Sequence, residues 1–544
     1  MTTIEREFPD DIKALKALLA ESMRALNARD EKIALLETKV TDLVTRVEKL
    51  TRLLFAPKSE RRPLDAGFVL EPGQMHLLFP ELVEAAERLA DAQGVHGSIE
   101  LETPVELKAP QKRKQPKRRA EFPEDAPRTR TTYELPDEKL GCACGGRMTA
   151  IGEEVSCELE RLELTIVHEH ARTKYACKSC QEGVRTAPGP TKVIEKGLLG
   201  PGFLATLLVE RFAYHMPYNR LEKKYASEGI ELSRTVLCES AGRCADLLAP
   251  IAEEIAKDAL ASGVVQTDDT GVTIKAGSRR KSRKSYVWVY RGLGGKVFYD
   301  PTETRGRDGP FRVLKGYKGY LQADALKAYD GLFKGGDIVE VACWAHARRR
   351  FVEAEVQEPA LAKEAIDQIR RLYAVERVAK RRGLDANAVY ALRHEHARPT
   401  LNDFADWMTK TKPKLIFKGA LFEAIRYAES NWTALCRYVE DGRLDIDNNA
   451  AERALRAVAV GRKNWIFFGN ERGGRTATTM YSLIATCQEH GVDPRVYLRD
   501  VLLRMKAGAK PAELTPYAWK AKWKPVVEAH RASIIERMLA AAGG

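Results

Sequence analysis

Three acidic residues, far apart in the chain, carry the first chemical signal: Asp268 in VVQTDDTGVTI, Asp324 in KGYLQADAL and Glu452 in IDNNAAERALRAVAVGRKNW. Carboxylates are hard oxygen donors, and three that converge can hold divalent cations such as Mg²⁺ or Mn²⁺. Two such ions about 3.5–4 Å apart activate an attacking oxygen and stabilise a leaving one in an in-line phosphoryl displacement. Each acid also has an ordinary structural reading. Asp268 and Asp269 can open a turn before Thr270 and Gly271, and Asp324 can cap a helix over ALKAYDGLF. Glu452 can close a capping box with Asn449 or pair with Arg456 one turn on. What favours chemistry is the joint placement, two acids on strand-patterned segments and one on a helix-patterned segment. Side chains alternate along a strand, so only one of Asp268 and Asp269 can face the other two acids.

A second set of donors lies upstream. Cys142-x-Cys144 and Cys177-x-x-Cys180 form two close thiol pairs that can complete the tetrahedral S₄ set of a structural Zn²⁺. Gly145 and Gly146 suit the tight turn after the first pair. Cys157, His168 and His170 lie between the pairs as reserves, with the histidines read as strand-surface residues.

The elements that must position the acids follow from periodicity. After Gly263 the pattern switches from helix to strand, and VVQTDDTGVTI, KSYVWVYRG and KVFYDPT read as a three-stranded meander with SRRKSRKS as its first hairpin loop. LKGYKGYLQADA adds a strand, and IVEVACWAHARRRFVEA a strand that runs into a helix. Antiparallel strands followed by alternating β and α are the order an RNase H-like α/β core requires. Residues 353–441 are helix-patterned and read as an insertion between the second and third acids. Upstream, GFLATLLVERFAYH, PYNRLEKKYASEG and a long segment capped by Ser233 read as three helices, the last two resembling a helix-turn-helix. Further upstream, apolar residues recur with heptad spacing over 12–54, the mark of a coiled coil and hence of self-association.

The expected fold class is therefore multidomain α/β. A leucine-zipper coiled coil spans 1–56, a linker with a basic arm 57–130, and a zinc-ribbon-like module 131–190. A helical, helix-turn-helix-like domain spans 191–262. The RNase H-like core is split into 263–352 and 442–507 around the all-helical insertion 353–441, and 508–544 forms a C-terminal tail.

Composition narrows the partners. The chain has 544 residues and a formal net charge of +13, which suits a polyanion, nucleic acid before membrane. The charge is clustered: seven of the twelve residues in KAPQKRKQPKRR are basic. No apolar run approaches the ~20 residues of a membrane span. The charged start MTTIEREFPDD is unlike a signal peptide, so a cytoplasmic, nucleoid-associated protein is expected. Ten cysteines in a chain of this length suit thiols or metal ligands rather than a disulfide scaffold.

The heptads ending in KLTRLLFAPKSERR, the C-x-C-G-G and C-x-x-C pairs, QTDDTGV, KGYLQADA, CWAHARRRF, LDIDNNAAERALR and VGRKNWIFFG together resemble the DDE transposases of the insertion-sequence-66 family. The resemblance runs from the zipper to about Leu503. It implies a catalytic triad of Asp268, Asp324 and Glu452 holding two Mg²⁺ or Mn²⁺ ions. The activity would be metal-dependent 3′-end cleavage at transposon ends and strand transfer into target DNA. Arg348, Arg349 and Arg350, with Arg462 and Lys463, would hold DNA phosphates; the plainer reading is a basic helix face. The family motif has Glu after the first aspartate where this chain has Asp269, so the first ligand is one of two neighbours. Small accessory proteins are further partners the resemblance implies. Two other readings compete: a zipper and zinc DNA-binding regulator without catalysis, and a metal-dependent nuclease without strand transfer.

Overall fold

A computed structural model of the chain describes residues 79–93, 165–176, 184–276, 281–324 and 328–542, together with Met23. The zipper apart from Met23, the basic arm and the four cysteines Cys142, Cys144, Cys177 and Cys180 lie outside the described residues.

In chain order, α1 (Pro80–Ala92) precedes a two-stranded antiparallel ribbon of β1 (Lys174–Ala176) and β2 (Val184–Thr186). Three helices follow: α2 (Pro201–Phe212), α3 (Tyr218–Ser227) and α4 (Arg234–Leu260). These match the three helices expected from periodicity, and Ser233 caps α4 by accepting from the Val236 amide at 3.3 Å. Then come β3 (Val264–Ala276), β4 (Lys281–Gly292), β5 (Lys296–Thr302), α5 (Asp308–Val313), β6 (Gly319–Ala323) and β7 (Ile338–Ala342). Helices α6 (Trp344–Ala354), α7 (Pro359–Arg381), α8 (Ala386–Leu392), α9 (Arg398–Thr411), α10 (Ala420–Ser430) and α11 (Trp432–Cys436) fill the stretch up to Asp441 with short turns. The chain closes with α12 (Asn449–Trp465), α13 (Glu471–Glu489), α14 (Pro494–Lys506), α15 (Pro516–Lys522) and α16 (Lys524–Ala542). It is a mixed α/β protein, and among the described residues no helix is long and apolar enough to cross a membrane.

The chain divides into two compact units. One holds 346–432 and 439–442 with the N-terminal residues to Ile99; the other holds 100–345, 433–438 and 443–544.

The second unit is built on a five-stranded mixed sheet in the order β5-β4-β3-β6-β7. The meander β3-β4-β5 is antiparallel, whereas β6 and β7 run parallel to β3. Val265, Val287, Val289, Leu321 and Val341 are fully buried in it. The edge strand β5 keeps its outer amides satisfied by side chains of α13: Tyr299 N donates to Ser482 Oγ at 2.9 Å and Val297 N to Thr486 Oγ1 at 3.2 Å. Covering an edge this way closes it to pairing with another chain. The expected hairpin loop is shorter than SRRKSRKS, because β4 already begins at Lys281 and pairs Lys284 with Thr273. Residues 508–544, expected as a tail, contribute Leu514 and Trp519 to the core, and Tyr497 Oη donates to the Leu514 carbonyl at 2.6 Å.

The helical excursion of this chain starts and ends at one tryptophan. Trp344 is fully buried; its indole N–H donates to the Leu435 carbonyl at 2.8 Å and its backbone N–H to the Ile446 carbonyl at 3.2 Å.

The first unit is all helical among its described residues. Phe351, Phe404, Trp407 and Trp432 form its aromatic centre, with ring centroids 5.6–6.5 Å apart in the contacting pairs. Arg393, 2% exposed, is held by both oxygens of Glu376 at 2.8 and 2.7 Å and by the Asp441 carbonyl at 3.0 Å. Removing one partner of such a buried pair is far costlier than the net worth of the pair.

Candidate active site

Asp268 and Asp269 sit midway along β3, opposite Val289 and Trp288 of β4. On the other side β3 pairs with β6 only over Val264–Gln266, matched to Tyr320–Gln322. The pair Gln266 and Gln322 is 56 residues apart, the same offset as Asp268 and Asp324, so the two aspartates follow their glutamines at equal distance along neighbouring parallel strands. Glu452 lies in the first turn of α12, where an acid also suits the positive end of the helix dipole.

These three carboxylates form one electrostatic group. Burial first, and then the negative charges of Asp324 and Glu452, push the Asp268 carboxyl up from 3.8 to about 7, against an N–H donated by Asp269 at 2.8 Å. Asp324 Oδ1 and Glu452 Oε1 are buried oxygen atoms. A half-buried set of mutually repelling carboxylates is the donor chemistry that hard divalent cations fit.

Asp269 points the other way. Its side chain is 3% exposed, and both of its oxygens accept from Arg305 Nε at 2.9–3.0 Å. Alternation along β3 thus separates the two neighbours: Asp268 joins Asp324 and Glu452, and Asp269 is neutralised by an arginine.

An amide network around the buried Gln266 and Gln322 ties the strands to the loop that precedes α12. Gln266 Nε2 donates to Gln322 Oε1 (2.9 Å), to Asp445 Oδ2 (2.7 Å) and to the Asp447 carbonyl (3.2 Å). Gln322 Nε2 donates to the Asp445 carbonyl at 2.7 Å, and Asn448 Nδ2 to the Thr267 carbonyl at 3.3 Å. The loop LDIDNN is thereby clamped to the ends of β3 and β6, and α12 starts from it with Glu452 one turn in. The signal was present in the sequence: QTD and QAD repeat the same Gln-x-Asp spacing, which puts both residues on one face of a strand. The capping-box reading of Glu452 does not hold. Asn449 is the first helical residue, and its side chain donates to Asp447 Oδ2 at 2.7 Å.

The far end of α12 is anchored differently. Arg462 Nη1 donates to Thr270 Oγ1 at 2.9 Å and to the Gly271 carbonyl at 2.5 Å, so this candidate cation is fixed against β3 near the acids. Lys463 beside it is exposed. Trp465 is 6% exposed and stacks on Phe468 at 4.4 Å, which makes it a core residue and removes the base-stacking alternative. Gly461 makes room for it: a Cβ there would lie 2.5 Å from the indole nitrogen. Arg348, Arg349 and Arg350 stand on α6; Arg348 is half-buried, Arg349 and Arg350 are exposed, and Arg350 lies over the Tyr427 ring at 4.1 Å. Of the reserve zinc donors, His168 and His170 are exposed and stack on each other at 6.3 Å.

The profile of the Transposase IS66 family matches residues 196–476, from before α2 to the start of α13, and so takes in all three acids. The chain belongs to the IS66 transposase family. The IS66 C-terminal element matches 482–519, which includes the buried Trp519, and a third profile, Transposase C of IS166 homeodomain, matches 42–131. Two uncharacterized proteins of Sinorhizobium fredii are similar along most of their length. One, y4hP, is 33% identical over 88% of this chain and 89% of its own; the other, y4qI, is 30% identical over 93% and 96%. Family membership makes this a transposase-type, nucleic-acid-processing protein with DNA as its partner.

Proposed function

We propose that the chain is a DDE-type transposase that binds the ends of its element, cleaves there to release a 3′-hydroxyl, and transfers that end into target DNA. The observation that carries the reading is the grouping of Asp268, Asp324 and Glu452, with the Asp268 carboxyl pushed up to about 7. The sheet order β5-β4-β3-β6-β7, with an antiparallel meander and two parallel additions, supports an RNase H-like core around it.

Asp268, Asp324 and Glu452 would hold the metal ions. When bound, Mg²⁺ or Mn²⁺ supplies Lewis acidity at the scissile phosphate and a nucleophilic oxygen at neutral pH. The protein does the rest. The Gln266–Gln322–Asp445 network keeps strand and helix carboxylates at a fixed separation, so little reorganisation is left for the reaction itself. Arg462, already immobilised on Thr270 and Gly271, and the exposed Lys463 place positive charge beside the acids for DNA phosphates. Arg348, Arg349 and Arg350 on α6 are further phosphate-binding candidates. In this reading Cys142, Cys144, Cys177 and Cys180 hold a structural Zn²⁺, and the N-terminal heptads pair two chains.

The test uses purified full chain, a labelled duplex carrying the terminal inverted repeat beside the gene, and Mg²⁺. The wild type should nick and join, and Glu452→Gln should bind the duplex with unchanged affinity yet do neither. Cutting without joining would replace the transposase with a nuclease, and binding without cutting would leave a regulator.

A further inference from the structure

On the Asp269 side of β3 lies a cavity of about 340 Å³, lined among others by Asp269, Gly271, Lys284, Tyr286, Arg305 and Arg462. Three cations and one carboxylate face it, so its net charge is positive even with the Asp269–Arg305 pair intact. Lys284 is exposed, has no carboxylate partner among the described residues, and lies with its Nζ 5.5 Å from the Tyr286 ring centroid. Its neighbour Arg283, by contrast, is taken up by Glu303 and Glu471 at 2.9 and 2.8 Å. Arg305 is fixed from behind by Asp269 while its side chain stays 47% exposed. Arg462 is fixed by the Gly271 carbonyl and Thr270. Two of the three cations are thus held in place before any ligand arrives, which lowers the ordering cost of binding an anion.

Gly271 keeps the space open. A Cβ there would meet Lys284 Cε at 3.2 Å and the Tyr286 ring at 3.7 Å, and the backbone at this glycine is not left-handed, so shape alone is at stake. The cavity begins one residue along β3 from Asp268 and opens on the opposite face of the strand. Cations set around a concave, partly buried surface are the usual way to fix a phosphodiester without reading sequence.

We propose that this cavity seats a backbone phosphate of the bound DNA, with Lys284 and Arg305 as its positioning contacts. The inference deepens the transposase reading and rests on it for the identity of the strand. A free phosphate would meet the same charges, so the experiment separates the two sources.

Binding of a fluorescein-labelled duplex of arbitrary sequence is measured by anisotropy over a range of salt, with the full chain in a Glu452→Gln background. Lys284→Ala should weaken binding several-fold and flatten the slope of log K against log salt by about 0.9, the signature of one lost phosphate contact. Gly271→Ala, which leaves every charge in place but narrows the cavity, should also weaken binding several-fold. Lys318→Ala, at the start of β6 and paired with Asp337 at 3.3 Å, should leave the slope unchanged. Lysine acetylation read by mass spectrometry should show Lys284 protected by the duplex and not by inorganic phosphate. A wild-type slope in Lys284→Ala, wild-type binding in Gly271→Ala, or protection by inorganic phosphate alone overturns the proposal. If joining fails in the wild type while Lys284→Ala still flattens the slope, the phosphate seat stands and the transposase reading falls. If joining is intact and the slope does not change, only the phosphate seat falls.

Discussion

The two faces of β3 around residues 268–271 stand in opposite electrostatic settings. On one face burial, with the charges of Asp324 and Glu452 behind it, pushes the Asp268 carboxyl up to about 7. On the other, Asp269 is saturated by Arg305, with Lys284 and Arg462 close by. One face gathers three carboxylates, and on the other the cations outnumber the one carboxylate. The difference teaches how a single strand can prepare two kinds of partner, cations on one side and an anion on the other. Alternation of side chains does this with adjacent residues of the same type.

The sharpest way to break the comparison is to neutralise each aspartate in turn. Asp268→Asn should lower single-turnover cleavage by more than about a hundred-fold, beyond the 10–100-fold usual for residues that merely support a metal site. Asp269→Asn should keep cleavage within about ten-fold of wild type, since it releases Arg305 without removing a ligand. Equal losses in the two variants would erase the distinction between the faces.

A smaller effect is expected from the network beneath the acids. Gln266→Leu should cost about 10–100-fold in cleavage. It should also cost about 1–3 kcal/mol of stability, because the buried Gln322 and the exposed Asp445 lose their shared donor. A urea melt run beside the rate measurement separates the two. A stability loss with an unchanged rate would make Gln266 a core residue and nothing more.

The mildest effect is on pH. The folded-state pKa of Asp268 is raised from 3.8 to about 7, so the metal-free folded state binds this proton more tightly than the unfolded chain does. The group's contribution to stability is then complete below 3.8 and lost as pH rises through about 7. Asp268→Asn should remove that fall and melt higher than wild type near about pH 8, by roughly 2–4 °C for each kcal/mol relieved. Mg²⁺ should stabilise the wild type at that pH and lose its effect as Asp268 takes up a proton. A wild-type melting temperature that stays flat from about pH 4 to about 8 would show that the Asp268 carboxyl is not raised.

Much of this site was legible from the chain, and the physical reasons differ by residue. Strand alternation in VVQTDDTGVTI, LQADA and IVEVA, together with the helical period of NNAAERALRAVAV, carried the placement of all three acids. The same alternation stated that only one of Asp268 and Asp269 could face inward, but it is symmetric between them. Only Arg305, 36 residues later on a turn without periodicity, decides which. The Gln-x-Asp repeat was readable yet carries no charge, and so gave no chemical signal by itself. Trp465 was ambiguous because an aromatic residue after two basic ones suits a stacking platform as well as a core; the close approach allowed by Gly461 resolves it. The hairpin loop was overestimated because SRRKSRKS is polar throughout, while its second half alternates as an exposed strand does.

Trp344 has a consequence for chain entropy. The whole excursion 346–432 leaves directly after this residue, and its two hydrogen bonds reach the returning chain at Leu435 and Ile446. The sheet therefore experiences the excursion as a loop that is already closed. Lengthening a closed loop costs only about (3/2)RT times the logarithm of the ratio of lengths, so even a doubling adds roughly 0.6 kcal/mol. Helices could be gained, lost or exchanged in that stretch at almost no thermodynamic cost to the spacing of Asp268, Asp324 and Glu452. A single buried tryptophan thus lets the helices beyond α6 vary as a cassette while the three acids keep their spacing.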